Sequence, residues 1–527
     1  MHLKAINNNN NNNNNNSSSS SSSSSGGGGS SSSSSSSIGG SSSIGGISSI
    51  GDISRRKDNN HEIFKVKPKL GLLGLMTDSY EPIFPGITNR QEKYAQQLAQ
   101  SLSPVADVYF PGAAKNKQEI ETTVKKFNQM NLDGILIVLL TYSQGLWLVH
   151  ALQDNRLPIA MAIVQPDQEV LDDWEELDLT VNQGIHGSQD NANAIIRAGL
   201  KCQFFAGNRH EKRFIEFVEN FAKAAKTMSF LRNLKTAVIS RMSGMGDILT
   251  DDMSFYRKIG PEPCHDTIGS VYSFIQKVTD DEINESIQID KEIFDIDPKL
   301  SFESHAIATR MYLGFKNYLK ANGFGAYTAQ FDIFAADGRF RQLPLMAASH
   351  LMADGWGYAA EGDFICASMV AAAHCIGNID GNFTEMYTMD FAKKAIIFCH
   401  AGEGNWATCR LDMKPKLIDR YLGEGGLENP PTPIFTPQFG PATLVSLAPI
   451  KGDEFRLVVS KGEILPKSDL KKCEMPYFFF APYSGIENCV ENWVKYAGTH
   501  HEVINLGDVS MRWKMLCDML DIQYIEV

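Results

Sequence analysis

Several features that would assign a chain at once are missing from this sequence. Its apolar runs, such as residues 135–140, are far shorter than the roughly 18 residues that a membrane-spanning helix needs. The formal net charge is -12, which argues against nucleic acid or an anionic membrane as a partner. Its 9 cysteines are scattered without a Cys-x-x-Cys pair, as in reduced cytosolic proteins. Because no signal-peptide core follows Met1, we predict a cytoplasmic protein.

The first part of the chain is of low complexity. Runs of Asn, Ser and Gly fill the sequence from residue 7 to about residue 60. Such a segment has too little apolar surface to offset the conformational entropy that it would lose on folding. We therefore predict a disordered Asn/Ser/Gly tail over residues 1–65, without a catalytic role.

Strands and helices are predicted to alternate after this tail. Apolar runs at residues 69–76 and 133–140 predict buried strands, and segments with helical spacing lie between such runs. This alternation, with short connections, is typical of a doubly wound parallel sheet. A second unit of the same kind follows, with a short strand predicted over residues 179–182 and a long helix over residues 209–230. Neither the strand-end loops of the first unit nor Gly244-Met245-Gly246 in the second forms a convincing nucleotide motif.

Beyond about Asp380 the helical periodicity fades. Short apolar runs then alternate with Gly and Pro turns, which predicts a mainly antiparallel β domain. The predicted fold class is therefore α/β: two doubly wound Rossmann-like (flavodoxin-like) units followed by a mainly antiparallel β domain. The predicted limits are 66–175 for the N-terminal α/β domain, 176–380 for the central α/β domain and 381–527 for the β-rich domain.

Glutamates and histidines at the ends of predicted elements form a candidate site. They are Glu361, Glu385, His400, His500 and His501. Carboxylates and imidazoles together suit a divalent cation such as manganese, iron or zinc, and the carboxylates could also move protons on a substrate. Each residue alone has an ordinary alternative, because a Glu beside Gly is usually a solvated turn residue and a lone His is usually hydrogen-bonded in the core.

Several segments of the sequence resemble the L-arabinose isomerase family, in the family's order. Gly-Tyr-Ala-Ala-Glu-Gly-Asp at 357–363 is similar to its Glu-Gly-Asp segment, and Phe-Thr-Glu-Met-Tyr-Thr at 383–388 to its second glutamate segment. Ala-Gly-Thr-His-His at 497–501 is similar to its Gly-Gly-Ala-His-His segment. Further matches lie at residues 182–187, 398–400 and 435–442. The resemblance covers most of the chain from Lys69 onward.

This resemblance implies an activity and a set of site residues. The activity would be that of an aldose–ketose isomerase that interconverts L-arabinose and L-ribulose by enediol proton transfer. The metal, usually Mn²⁺, would be held by Glu361, Glu385, His400 and His501. Glu361 and Glu385 would also be the catalytic acid/base pair. Phe334 and His500 would bind the substrate: Phe334 would line the sugar site, and His500 would lie beside the metal. The family further implies homotrimers or homohexamers with sites at subunit interfaces.

The N-terminal half departs from the family pattern. Residues 76–82 replace a Ser-Gln-x-Leu-Tyr-Gly segment, Leu140 stands where the family has His, and Gln189 where it has Arg. These departures leave alternatives open: an isomerase of another sugar, such as an L-fucose-like or D-galactose-like aldose, a non-catalytic sugar-binding protein on the same fold, or another metal-dependent enzyme. A hydride shift also stays open beside the enediol route, as does the identity of the divalent metal.

Overall fold

The first sheet of the protein contains five parallel strands. The computed structural model describes residues 64–422, 426–466 and 470–527, so the predicted tail lies outside the described residues apart from its last two. The strands are β1 (Lys69–Leu75), β2 (Asp107–Tyr109), β3 (Gly134–Leu139), β4 (Ile159–Ile163) and β5 (Cys202–Ala206). Their order in the sheet is β2-β1-β3-β4-β5.

Helices cover both faces of this sheet. They are α1 (Ile87–Ser101), α2 (Lys117–Gln129), α3 (Gly145–Leu152), α4 (Glu176–Val181), α5 (Gly184–Arg197) and α6 (Lys212–Asn233), with a 3₁₀ turn at Asp78–Tyr80. Alternate residues of β3 belong to different cores: Leu136 and Val138 pack with α1 and α6, whereas Ile137 packs with α2 and α3. Burial on both faces explains why this strand is a continuous apolar run.

The strand predicted over residues 179–182 is wrong, because the segment forms α4 and the turn after it. Hydrogen bonds at the start of the helix explain this. In a capping box, the side chain of Glu175 accepts from the backbone N–H of Asp178, and the side chain of Asp178 accepts from the backbone N–H of Glu175. The last strand of the first sheet is β5, which lies beyond residue 175, the predicted limit of the N-terminal domain. The division into domains and the doubly wound description of the two units stay predictions.

A second parallel sheet carries the segment around Glu361. Its strands are β6 (Lys235–Ile239), β7 (Glu262–Asp266), β9 (Ala326–Ala329) and β10 (Gly357–Ala360), in the order β10-β9-β6-β7. Its helices are α7 (Asp252–Lys258), α8 (Ile268–Ile275), α9 (Asp280–Ile293), α10 (Phe302–Asn322), α11 (Asp332–Asp337), α12 (Leu345–Ala353) and α13 (Phe364–Ile376). Every residue of α13 is buried, because this helix lies between the second sheet and the strands of the next domain.

The C-terminal region forms a closed antiparallel ring. The ring strands are β11 (Asn382–Asp390), β12 (Ala395–Cys399), β15 (Gly440–Lys451), β16 (Glu454–Ile464), β17 (Tyr477–Pro482) and β18 (Glu502–Leu506). They follow the order β15-β18-β11-β12-β17-β16, and pairing of β16 with β15 closes the ring. β19 (Gln523–Glu526) adds to β16 in parallel. The mainly antiparallel C-terminal region is therefore confirmed.

The remaining elements complete the chain. They are a small sheet of β8 (Asp295–Ile296), β13 (Lys416–Asp419) and β14 (Pro431–Ile434), the helices α14 (Ile486–Lys495) and α15 (Ser510–Leu520), and a 3₁₀ turn at Trp406–Thr408. Among the described residues, no helix combines the length and the apolar character needed to cross a membrane.

The close packing of α13 on β10 leads to a testable prediction. A Cβ atom on Gly357 would lie 2.1 Å from the backbone oxygen of Ala367 in α13. We expect Gly357→Ala to lower the free energy of unfolding by about 1–3 kcal/mol, because the helix must move away from the strand. Urea unfolding checks this. Gly269→Ala in α8 is the matched control, since its nearest contacts lie at 3.6 and 3.7 Å, and stability there should not fall. Equal stability of the two variants would contradict the prediction.

Candidate metal centre

The predicted site residues come from the ends of elements in two sheets. Glu361 directly follows β10 in the second sheet, whereas Glu385 lies in β11 of the ring. Within the ring, β11 lies between β12 and β18. Glu385 pairs with Cys399, the neighbour of His400, and Thr384 pairs with Glu502, the neighbour of His501. Strand pairing therefore brings together residues that lie far apart in the sequence.

Imidazole and carboxylate atoms converge at this point. Glu361, Glu385, His500 and His501 each offer one ligand atom, and these atoms lie within 4.8 Å of one another. Nε2 of His501 is 3.3 Å from Oε2 of Glu361 and 3.2 Å from Oε1 of Glu385. Nε2 of His400 is 3.6 Å from the same Glu385 oxygen. All five predicted ionisable residues thus surround one point, although His400 is outside the closest set of four.

Three further carboxylates, which the sequence did not predict, orient the imidazoles. Each accepts a hydrogen bond from an Nδ1 atom. The pairs are His400 with Glu403 at 2.8 Å, His500 with Asp247 at 2.7 Å and His501 with Asp363 at 2.9 Å. Because an ionised carboxylate only accepts, Nδ1 carries a proton in each pair, and Nε2 is the ring nitrogen on the side of the two glutamates.

These three pairs differ in how visible they are in the sequence. Glu403 follows His400 by three residues, and Asp363 caps α13 by accepting a hydrogen bond from the backbone N–H of Cys366. The spacing of Glu403 to His400 was an available signal, whereas the N-cap position of Asp363 does not indicate His501 as its partner. Asp247 lies 253 residues before His500, in the loop after β6, and no local pattern connects them.

The aromatic surroundings include rings that the sequence did not predict. The centroid of Phe383 is 4.7 Å from that of His400 and 5.0 Å from that of His501. The ring of Phe331 stacks on His400 at 6.0 Å. Phe334 is buried in α11 and packs against Phe340 at 5.1 Å. Its predicted contact with a sugar stays a prediction.

The charges of the site reflect this crowding. Burial raises the pKa of Glu361, but the neighbouring imidazoles, above all those of His500 and His501, lower it to about 2. Burial lowers the pKa of His501, but the carboxylates of Asp363, Glu361 and Glu385 raise it well above its usual value. For His400 the opposing effect of Glu403 likewise outweighs burial and raises the pKa. Without a metal, the site therefore holds its glutamate charge by keeping protons on imidazoles.

The backbone at Glu361 is held in an unusual conformation. Its φ of 63° lies in the left-handed region, which typically costs a non-glycine residue about 1–3 kcal/mol. Two backbone hydrogen bonds fix it: its N–H donates to the oxygen of Ala329 at 2.9 Å, and its oxygen accepts from the N–H of Met242 at 2.8 Å. A Cβ on the following Gly362 would lie 2.3 Å from Cα of Arg241, so only glycine fits there.

The residues present fit a divalent cation. Oε2 of Glu361 and Nε2 of His501 are buried, and neither has a hydrogen-bond partner within the described part of the chain. Unsatisfied buried polar atoms are costly, and one cation between them would satisfy both. Imidazoles fixed by carboxylates are the usual arrangement of histidine ligands in metal sites.

Comparison with known proteins now adds to this geometry. Residues 251–379 match the model of the L-arabinose isomerase central domain, and residues 380–523 match that of its C-terminal domain. The two matches together span more than half of the sequence. The chain belongs to the L-arabinose isomerase family. The resemblance predicted from the sequence is therefore confirmed, and the protein is an isomerase.

Relatives in the L-arabinose isomerase family extend the match toward the N-terminus. The L-arabinose isomerase of Flavobacterium johnsoniae is 27% identical over 444 residues, which covers 81% of this chain and 86% of the relative. That of Clostridium beijerinckii is 26% identical over 382 residues, covering 71% and 76%. That of Geobacillus stearothermophilus is 23% identical over 459 residues, covering 83% and 90%.

Proposed function

We propose that this isomerase interconverts an open-chain aldose, such as L-arabinose, and its ketose, such as L-ribulose, with Glu361 and Glu385 as the acid/base pair. The observation that carries the proposal is the convergence of these two carboxylates with imidazoles whose Nδ1 atoms are fixed by other carboxylates. The substrate class follows the names of the relatives. A divalent cation such as Mn²⁺ would be held by Glu361, Glu385, His400 and His501.

The chemistry requires two proton-handling groups at one place. One carboxylate takes the proton from C2 of the open-chain aldose and returns it to C1, while the other serves the sugar oxygens. The cation supplies a Lewis acid that stabilises the negative charge developing on those oxygens. Phe383 and Phe331, which pack on His400, keep water away from one side of the imidazoles. This route passes through an enediol.

A panel of pentoses and hexoses, incubated with the protein and Mn²⁺ and assayed for ketose, tests the proposal. In deuterated water the product should carry solvent deuterium at the carbon that gains hydrogen. Ketose formation with complete retention of substrate hydrogen would favour a hydride shift instead. Failure to convert any aldose in the panel would contradict the proposed function.

The preferred substrate is proposed to differ from L-arabinose. Leu140 stands where the family has His, and it is a core residue. Its side chain packs closely on Gly74, because a Cβ added to that glycine would lie 2.8 Å from Cδ1 of Leu140. It cannot replace a hydrogen bond from an imidazole, and loss of such a bond changes discrimination by orders of magnitude. A kcat/KM for L-arabinose above that for every other sugar would contradict this.

The assembly is proposed to be a homotrimer or homohexamer in the cytoplasm, with sites at subunit interfaces. The support is family membership. The strand-end loops of the first unit lie in the N-terminal half of the chain, whereas the converging carboxylates lie in the second half, and contact between subunits would bring the two together. Sedimentation at working concentration, with activity measured in parallel, tests it. A fully active monomer would contradict it.

Metal binding should release protons. The imidazoles of His501 and His400 have raised pKa values, which favours their protonated forms in the metal-free protein, and a proton on Nε2 must leave before that atom can bind an ion. We expect Mn²⁺ binding at pH 7 to release about one proton or more per ion, and affinity to rise with pH. Calorimetry in buffers of different ionisation enthalpy measures this. The same heat in every buffer would contradict the expectation, and His501→Asn should release fewer protons.

A further inference from the structure

The imidazoles at the site differ in their access to solvent. The side chain of His501 is 0% exposed and that of His400 is 4% exposed, whereas that of His500 is 41% exposed. Nε2 of His500 lies 3.8 Å from Glu361 and 3.9 Å from Glu385, which is farther than Nε2 of His501 lies from either carboxylate. His500 therefore lies on the open side of the site, where a substrate must enter.

One carboxylate holds this imidazole from two directions. Oδ2 of Asp247 accepts the backbone N–H of His500 at 2.9 Å and its Nδ1–H at 2.7 Å. The ring of His500 also packs on His501, with centroids 4.1 Å apart. The position of the ring is thus fixed although the side chain is exposed. With Nδ1 bonded to Asp247, Nε2 is the ring nitrogen left for a further partner.

The loop that carries Asp247 is itself tied to the site. It begins after β6 with Ser240, whose φ of 64° is left-handed and whose hydroxyl donates to Oε1 of Gln330 at 3.1 Å. The N–H of Met242 in the same loop donates to the backbone oxygen of Glu361. The loop therefore connects Glu361, from the second sheet, with His500, from the ring.

We propose that Asp247 is a positioning residue: it holds Nε2 of His500, which the family resemblance assigns to sugar binding, against the hydroxyl oxygens of the sugar. This inference rests on the proposed function and assigns a separate task to the exposed imidazole. The buried imidazoles hold the ion, whereas Asp247 acts on the reaction only through His500.

The test compares Asp247→Asn with two other Asp→Asn variants. Asp363→Asn removes the carboxylate that orients the buried His501. Asp251→Asn is the matched control, because Asp251 lies in the same exposed connection and caps α7, a position that Asn also fills. Binding of Mn²⁺ alone, binding of a pentitol to the Mn²⁺-loaded protein, and kcat/KM for the aldose are measured for each.

For Asp247→Asn we expect pentitol affinity and kcat/KM to fall by about 10–100-fold while Mn²⁺ affinity is unchanged. For Asp363→Asn we expect Mn²⁺ affinity itself to fall by about 10–100-fold. The double variant Asp247→Asn/His500→Asn should be no worse than His500→Asn alone, because Asp247 acts through that ring. If Asp247 had a general structural role instead, the double variant would lose more than His500→Asn alone. Asp247→Glu keeps the carboxylate and should recover part of the pentitol affinity and kcat/KM that Asp247→Asn loses.

Three results would overturn the inference. Weaker Mn²⁺ binding in Asp247→Asn, as in Asp363→Asn, would make His500 a ligand of the ion. Unchanged pentitol affinity and kcat/KM would remove the positioning role, as would a wild-type protein that binds no pentitol. If the wild type converts no aldose but Asp247→Asn still loses pentitol affinity, the proposed function fails while the positioning role stands. Should Asp247→Asn not fold, pentitol binding by His500→Asn and Asp247→Glu decides the question.

Discussion

Replacement of Glu361 or Glu385 by Gln is expected to lower kcat by about 10²–10⁴-fold, even at saturating Mn²⁺. The amide keeps the size of the side chain and one oxygen atom but removes the base. It is also a poorer ligand for a divalent ion, so metal affinity should fall as well. Excess metal should restore occupancy without restoring proton transfer, and this separation is what distinguishes an acid/base group from a ligand.

His400→Asn provides the comparison for these two variants. If His400 only binds the ion, excess Mn²⁺ should recover more of its activity than it recovers in either glutamate variant. Steady-state kinetics over a range of Mn²⁺ concentrations, with binding measured separately, gives both quantities. Normal turnover of both glutamate variants at saturating metal would show that neither carboxylate is the acid or the base.

Asp290→Ala is expected to lower the free energy of unfolding by about 3–5 kcal/mol. Asp290 lies in α9 and is completely buried. Its Oδ2 is 2.9 Å from Nε2 of His305, and its Oδ1 is 3.2 Å from Nε2 of His350. Nδ1 of His350 accepts a hydrogen bond from Nε1 of Trp406 at 3.0 Å, so the ring proton of His350 is on Nε2, the atom nearest Asp290. Removal of the carboxylate takes the hydrogen-bond partner from His305 and the neighbouring negative charge from His350.

The matched control for this variant is Asp280→Ala in the first turn of α9. Asp280 forms an ion pair with Arg310, but its side chain is 88% exposed, and exposed pairs contribute about 0–1 kcal/mol. Urea unfolding of both variants, monitored by fluorescence and circular dichroism, gives the comparison. A loss of stability for Asp290→Ala no larger than for Asp280→Ala would show that the buried cluster is not a stabilising network.

Elements with strong local signals were predictable from the sequence. The strands predicted over residues 69–76 and 133–140 form β1 and β3, because each apolar run defines its own limits, and the helix predicted over residues 209–230 forms α6. The segment that forms α4 was not predictable from its apolar residues alone, since the capping box at Glu175 overrides their β-strand preference. Closure of the ring by β15 and β16 depends on pairing that no short window of sequence encodes.

The site shows the same division between local and distant signals. Glu361 attracts notice because it lies beside a glycine at the end of an element, and Glu385 because it follows Gly381 closely. The roles of Asp363 and Asp247 were hidden because their partners, His501 and His500, lie 138 and 253 residues further along the chain. Only the fold brings these pairs together. The assignment of ligands and acid/base groups stays a prediction until the variants above are measured.

The closed ring also has a consequence for biosynthesis. β11 and β12 leave the ribosome well before β18, yet β11 needs β18 as its second neighbour, with Asn382 opposite Ile504. Until β18 has been made and has paired, one edge of β11 is unpaired, and Glu385 and His400 do not yet have His501 beside them. Pairings between strands distant in the chain form slowly, because the long loop must close first. The nascent chain thus has only part of the proposed donor set, so an ion that needs the whole set would be bound late in the maturation of the enzyme.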